Sequence, residues 1–244
     1  MGHLHRPLAL LDSLLLVMPL FLFYQAGILY QLLVVNRGTL SINGADYLTL
    51  SALRWCAERR WLYAVLVAVV ALALVLMLRW MSRRSRLSLQ RYPAILFESV
   101  LYALFFSSFL HLLQSSPTQL SPVHSLLALA GPKSPWEMLF HSAGAGFNEE
   151  MVFRLGLFGG IVHASRRLRF PRTLALVLAF VLSSAAFSAI HYFGPYGDVF
   201  AFDSFMYRLL AGVLLATLYW WRGLAVAVYT HVLYDVYFFF VLNG

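Results

Sequence analysis

Ionisable side chains recur at short, regular spacings in three apolar stretches of the second half of the chain. The patterns are Glu149-Glu150-x-x-x-Arg154, Phe187-x-x-x-His191 and His231-x-x-x-Asp235. Charged groups at bilayer depth are costly, so they usually face the inside of a helix bundle and take part in function. Carboxylates and imidazoles together supply acids, bases and metal ligands for hydrolysis. The three patterns therefore predict a hydrolytic centre inside a membrane.

The first pattern assigns different roles to two adjacent carboxylates. Glu150 and Arg154 are four residues apart, so on a helix they share a face and can form an ion pair. Glu149 lies about 100° around the helix from Glu150 and can face a different neighbour. An ion pair that fixes helix packing accounts for Glu150 and Arg154 but leaves Glu149 unexplained. We therefore predict a catalytic role for Glu149 and a supporting role for the other two residues.

The two histidines belong to spacings that are not equally informative about function. Phe187 lies one helical turn before His191, so its ring can pack on the imidazole. A histidine at the end of an apolar segment is, by itself, as often interfacial as catalytic. His231 and Asp235 also lie one turn apart, and a carboxylate beside an imidazole selects its tautomer and raises its basicity. The second pairing is therefore the more informative.

The composition places these residues in a polytopic membrane protein. Of the 244 residues, 61% are hydrophobic and 11% are charged, whereas soluble domains carry about 25% charged residues. About 20 apolar residues span a bilayer. The candidate segments are Leu8–Leu33, Trp61–Trp80, Tyr92–Leu113, Trp136–His163, Arg172–Tyr192, Phe205–Trp221 and Gly223–Leu242. We predict an all-α membrane bundle of about seven transmembrane helices.

The sequence also predicts several features between and within these segments. Residues 45–59 read as a short interfacial helix, and the proline-rich stretch 114–135 as a loop that could cover the site. Gly144 and Gly146 should loosen the fourth segment before the paired glutamates. A tight turn at Arg222-Gly223 should join the last two helices. Arg208 could pair with Asp203 or with a substrate carboxylate, and interfacial packing is the interpretation we favour.

The charge distribution favours a membrane surface over nucleic acid as the partner of the basic residues. The net charge of +8 comes mainly from arginines between the apolar segments, which suits loops facing an anionic cytoplasmic leaflet. This distribution of arginines predicts that the N-terminus lies on the cytoplasmic side of the membrane. Cys56 is the only cysteine of the sequence, so an intrachain disulfide and a cysteine metal cluster are excluded.

Together the three patterns resemble the CPBP family of intramembrane proteases, which includes the CAAX prenyl endopeptidases and bacteriocin-processing relatives. The family motifs E-E-x-x-x-R, F-x-x-x-H and H-x-x-x-(N/D) match the three patterns in order. The resemblance covers about residues 136–242. It implies that residues 136–244 form the catalytic core and that residues 1–135 supply N-terminal helices and loops. The last motif position, Asp235, is more often asparagine in the family.

The resemblance implies hydrolysis of a peptide bond in a membrane-associated protein or peptide. Glu149, helped by His191, would activate water, and His231 with Asp235 would stabilise or orient the oxyanion. A zinc variant stays open, in which Glu149, His191 and His231 hold the metal and leave one position for water. The expected location is a bacterial plasma (inner) membrane.

Two non-enzymatic alternatives use the same residue types. A proton-coupled transporter also places Glu, His and Asp inside the membrane, but the sequence shows no internal repeat of the kind common in transporters. A membrane scaffold would tolerate loss of motif residues, and every motif position here is intact. We therefore favour the protease.

Overall fold

The protein is helical in every long segment of the computed structural model, which describes residues 9–35, 46–56, 59–82, 92–114, 134–193 and 197–242. The α-helices are α1 (Leu10–Tyr30), α2 (Tyr47–Cys56), α3 (Arg60–Ser82), α4 (Tyr92–Gln114), α5 (Pro135–Glu150), α6 (Gly159–Arg167), α7 (Arg172–Ile190), α8 (Phe202–Arg222) and α9 (Leu224–Tyr237). Shorter π-helical stretches cover Gln31–Val35, Met151–Phe158 and Phe238–Leu242. The all-α prediction is confirmed.

Five of the helical segments are long and apolar enough to cross a membrane, so the chain is an integral membrane protein. They are Leu10–Val34, Tyr92–Leu110, Arg172–Ile190, Phe202–Arg222 and Leu224–Val241, and Trp61–Met77 is a shorter apolar helix. The predicted segment Trp136–His163 consists of α5, the stretch Met151–Phe158 and α6 in succession. The predicted number of seven spans is therefore not confirmed, although all seven predicted segments are helical.

Helix α9 is the centre of the bundle. Every residue from Leu224 to Val232 is buried, and α9 packs against α1, α4, α5 and α8. A helix that is apolar all round belongs in the interior, and this stretch of α9 has only Thr230 and His231 as clearly polar members. The imidazole of His231 therefore enters the site from the most enclosed helix of the fold.

Two glycines of α5 allow neighbouring helices to approach closely. A Cβ atom on Gly146 would lie 2.3 Å from Val232 Cγ2 and 3.1 Å from the Val228 carbonyl oxygen on α9. A Cβ atom on Gly144 would lie 2.4 Å from the ring of Tyr24 on α1. Helix α5 continues through both positions, so the prediction that they loosen it was wrong. Their function is to bring α5 against its neighbours.

Gly223 is the single residue between α8 and α9. Its φ of 95° lies in the region that glycine adopts without steric cost. Its N–H donates to the carbonyl groups of Leu218 and Tyr219, which ends α8. The predicted tight turn at Arg222-Gly223 is thus present.

Helix α2 attaches to the bundle by a small polar network. The Gln25 amide of α1 donates to Thr49 Oγ1 at 2.9 Å and accepts from the Tyr63 hydroxyl of α3 at 2.6 Å. The short helix predicted over residues 45–59 is present as Tyr47–Cys56. The predicted loop 114–135 lies almost entirely outside the described residues.

We expect Gly146→Ala to destabilise the protein because its Cβ would meet backbone atoms of α9 that cannot rotate away. Overpacking of this kind costs about 1–3 kcal/mol. Gly160→Ala is the matched control, since a Cβ there meets nothing within 4 Å, and it should stabilise the helix by about 0.4–1 kcal/mol. Thermal unfolding of the two purified variants in detergent measures both effects. Equal melting temperatures for the two variants would contradict the close α5–α9 contact.

Candidate active site

Side chains from all three sequence patterns meet in one place. Glu150 at the end of α5 contacts His231 of α9, with 2.9 Å between Oε1 and Nδ1. The ring of Phe187 on α7 lies with its centroid 5.8 Å from that of His231 and 5.5 Å from that of His191. The guanidinium carbon of Arg154 stands 4.5 Å above the same Phe187 ring. The close contacts of α5 and α7 with their neighbours thus create the site.

The Glu150 carboxylate lies between two partners at the centre of this cluster. One oxygen contacts His231 Nδ1, and the other lies 3.0 Å from Arg154 Nε. Glu150 and Arg154 are both fully buried. The Arg154 Nε–H is not aligned on the carboxylate, so this contact is an ion pair and not a hydrogen bond. An ionised carboxylate only accepts hydrogen bonds, so Nδ1 of His231 carries a proton and donates it to Glu150.

Asp235 lies beside His231, as its spacing predicted, but the two side chains are not within hydrogen-bonding distance. Its Oδ2 lies 3.8 Å from His231 Nε2, which is longer than a hydrogen bond. Glu149 Oε2 lies at a similar distance, 3.9 Å, from the same nitrogen. The partner that orients the imidazole is therefore Glu150, and Nε2 points towards the two other carboxylates. The i,i+4 rule finds contacts within one helix, so it could not show this contact between α5 and α9.

His191 ends α7 with a defined orientation. Its Nδ1 lies 2.9 Å from the carbonyl oxygen of Phe187, which can only accept, so Nδ1 carries the proton. When the ring is neutral, Nε2 then holds the lone pair. The imidazole is within electrostatic reach of Glu149 and His231. The structure thus places His191 in the same cluster as the other predicted site residues.

Arg154 connects three segments behind the imidazoles. Its Nη2 donates to the Gly212 carbonyl of α8 at 3.1 Å, while the guanidinium covers Phe187 of α7. A Cβ on Gly212 would lie 3.1 Å from Ser184 Cα, so α7 and α8 are in close contact at this level. The residues predicted to support the site, Glu150, Arg154 and Phe187, all lie directly behind the two histidines.

Arg208 forms an ion pair that differs from the one considered from the sequence. Its Nη2 lies 2.5 Å from Asp198 Oδ2, and both side chains are largely buried. The guanidinium carbon lies 5.2 Å from the centre of the Tyr192 ring. Asp198 also donates its backbone N–H to the His191 carbonyl oxygen at 2.8 Å. The ion pair is therefore made with Asp198, in the irregular connection before α8, and not with Asp203, the second residue of α8, because spacing along the helix does not describe that connection.

The zinc variant concerns the same donor atoms. Across the described parts of the chain, no group of three His, Cys, Asp or Glu side chains is arranged to hold a metal ion. Nδ1 of His231 is occupied by Glu150, and Nε2 lies 3.9 Å from Glu149 Oε2. A metal-ligating histidine also commonly donates its other ring N–H to a carboxylate, so a zinc ion held by Glu149, His191 and His231 stays a prediction, and the chemistry below is derived from the protein groups.

We expect Arg154→Ala to lower the stability of the protein together with its activity. Removing one partner of a buried ion pair leaves an uncompensated charge, which costs about 3–5 kcal/mol. Arg166→Ala, an exposed arginine on α6, is the control and should change stability little. Protein yield in membranes and the melting temperature in detergent measure the difference. A stable Arg154→Ala protein that lacks only activity would assign Arg154 to the chemistry.

Comparison with known protein families gives a match to the second half of the chain. Residues 131–237 match the model of a family described as type II CAAX prenyl endopeptidase Rce1-like. No curated protein and no solved structure shows a significant match to the chain. The matched segment contains all three motifs and every site residue described above, and at the family level it indicates a membrane endopeptidase of the CAAX-protease type. The resemblance predicted from the motifs is thereby confirmed, since residues 131–237 match the Rce1-like type II CAAX prenyl endopeptidase family.

Proposed function

We propose that the protein is an intramembrane endopeptidase that cleaves a peptide bond of a membrane-associated or C-terminally tagged protein or peptide. The observation that carries this proposal is the gathering of one carboxylate and two oriented imidazoles from three different helices. These groups are Glu149, His191 and His231. Water held among them would have a base on one side and a hydrogen-bond donor on the other.

The nucleophile in this proposal is a water molecule activated by Glu149 and His191. In its ionised form Glu149 takes a proton from the water as the water attacks the scissile carbonyl carbon. His191 assists through Nε2, because its Nδ1–H is bound to the Phe187 carbonyl. The proton then passes to the leaving amine, and the bond between the carbonyl carbon and that nitrogen breaks.

The oxyanion in this proposal is stabilised by His231. Its Nδ1–H is held by Glu150, so only Nε2 faces the reacting atoms. A proton on Nε2 lies towards Glu149 and Asp235, at 3.9 and 3.8 Å, and can be donated to the negative oxygen of the tetrahedral intermediate. Asp235 acts in its protonated form as a second donor to the same oxygen.

A proton-coupled transporter is supported less well by this arrangement. Transport needs protonatable groups at successive depths across the membrane. Here the interacting carboxylates and imidazoles form one cluster, and His231 stands at the end of a buried and mainly apolar stretch of α9.

We also propose a bacterial inner membrane as the location, with the N-terminus in the cytoplasm. The arginines between α6 and α7 then face the anionic inner leaflet.

We expect Glu149→Gln and His191→Ala each to abolish cleavage while leaving the protein folded. Both changes remove a proton acceptor from the site, and such groups contribute about 100- to 10,000-fold to rate. His163→Ala, an exposed histidine on α6, is the matched control and should cleave normally. The measurement compares membrane proteins and their termini by mass spectrometry in cells that express each variant. Normal processing by Glu149→Gln would refute the mechanism, and a loss of cleavage on chelation that zinc reverses would favour the metal variant.

The role of Asp235 can be tested by two substitutions. If Asp235 donates a proton to the oxyanion, Asp235→Asn should keep most of the activity, because an amide also donates, and Asp235→Ala should lose about 100-fold or more. Cleavage rates of both variants and the parent across pH provide the comparison. Loss of activity in both, with folding intact, would mean that the carboxylate itself is required.

A further inference from the structure

Arg208 is a buried cation that the proposed reaction does not use. It is 6% exposed and lies on α8 one helical turn before Gly212, whose carbonyl accepts from Arg154. Residues four apart share a helix face, so Arg208 is on the side of α8 that faces the site. Arginine side chains are seldom buried unless they are paired, so the groups that contact Arg208 must account for its burial.

Arg208 and the residue before it are connected to two elements of the catalytic cluster, the end of α7 and helix α9. Its ion-pair partner Asp198 holds the carbonyl of His191 through a backbone hydrogen bond of 2.8 Å, and Arg208 is within electrostatic reach of the His191 ring. The preceding residue, Tyr207, has its hydroxyl hydrogen-bonded to that of Tyr234 on α9. The start of α8 thus lies alongside the proposed reacting atoms.

The hydrogen-bonding capacity of Arg208 is only partly used. A guanidinium carries five N–H groups, and Nη2 donates to Asp198. Nη1 is buried and has no hydrogen-bond partner among the residues that the structure describes. Buried donors are paired in the large majority of cases. An oxygen acceptor from a bound molecule would satisfy this nitrogen, and a carboxylate matches the guanidinium in both charge and planar geometry.

We propose that Arg208 is a specificity-determining residue that binds a carboxylate group of the substrate next to the scissile bond. This inference rests on the proposed function, since it assigns a substrate feature to the same site. Three strongly exposed apolar side chains, Phe193, Val199 and Phe200, lie close to Asp198 in the sequence. They suit apolar substrate residues next to the carboxylate, which comes from either a free C-terminus or an acidic side chain.

The test uses the full-length protein in proteoliposomes and a synthetic library of lipid-anchored peptides. One half of the library has free C-termini and the other half has C-terminal amides, and each half is made with and without Asp and Glu. Mass spectrometry identifies the cleaved peptides. The best-cleaved peptide is then assayed with the parent, Arg208→Gln, Arg208→Lys and Arg222→Gln. Arg222 is the control because it is also ion-paired on α8, to Glu98, but at the opposite end of the helix.

We expect the parent to prefer peptides with the carboxylate, and Arg208→Gln to raise KM about tenfold or more for these peptides alone. Arg208→Lys should recover part of this loss, and Arg222→Gln should leave KM unchanged. Amidated and free peptides compared on the parent protein test the inference even if Arg208→Gln does not fold. Equal cleavage of peptides with and without a carboxylate by the parent, or an equal fall in kcat for both peptide types in Arg208→Gln, would overturn it. If the parent cleaves no peptide, the proposed function fails and the inference fails with it.

Discussion

The contact on which the site depends is the Glu150 carboxylate between Arg154 and His231. It joins the end of α5 to α9, and through Arg154 it reaches the backbone of α8 and the Phe187 ring of α7. A buried charge pair seldom adds much stability, because removing both ions from water costs about as much as their attraction returns. The value of this cluster is therefore orientation. It fixes which nitrogen of His231 faces the reacting atoms, and it keeps one of two adjacent carboxylates away from the chemistry.

Close backbone packing makes that contact possible. Gly146 brings α5 against α9, where a Cβ atom would lie 2.3 Å from Val232 Cγ2, and Gly212 brings α8 against α7, where a Cβ atom would lie 3.1 Å from Ser184 Cα. Helices in lipid associate mainly through close packing of small residues and through polar contacts. In this protein the two effects act at the same level of the bundle. The glycines set the distance between helices, and the Glu150–Arg154 pair uses that distance to connect four segments.

Local sequence patterns predicted the helices and the residues of the site, but not the contacts between those residues. Hydropathy located the apolar segments, and i,i+4 spacing predicted the Glu150–Arg154 pair, since both depend on residues close in sequence. The Glu150–His231 hydrogen bond joins residues 81 positions apart, so it follows from tertiary packing and leaves no periodic signal. The same is true of Arg208, whose partner Asp198 lies in an irregular connection. Glycine is equally ambiguous in a sequence, because it can weaken a helix or allow close contact, and only the neighbouring helix decides which.

The single-residue connection at Gly223 has a mechanical consequence. Because a single residue joins α8 to α9, the two helices stay together at that end. Any change in the angle between them therefore causes the largest displacement at the opposite end. Arg208 lies 14 residues from Arg222 on α8, which is about 21 Å at the helical rise per residue. Each degree of opening would move Arg208 by roughly 0.4 Å relative to α9. The α8–α9 hairpin therefore opens about Gly223, and Arg208, the group proposed to bind the substrate carboxylate, lies towards the end where the displacement is largest.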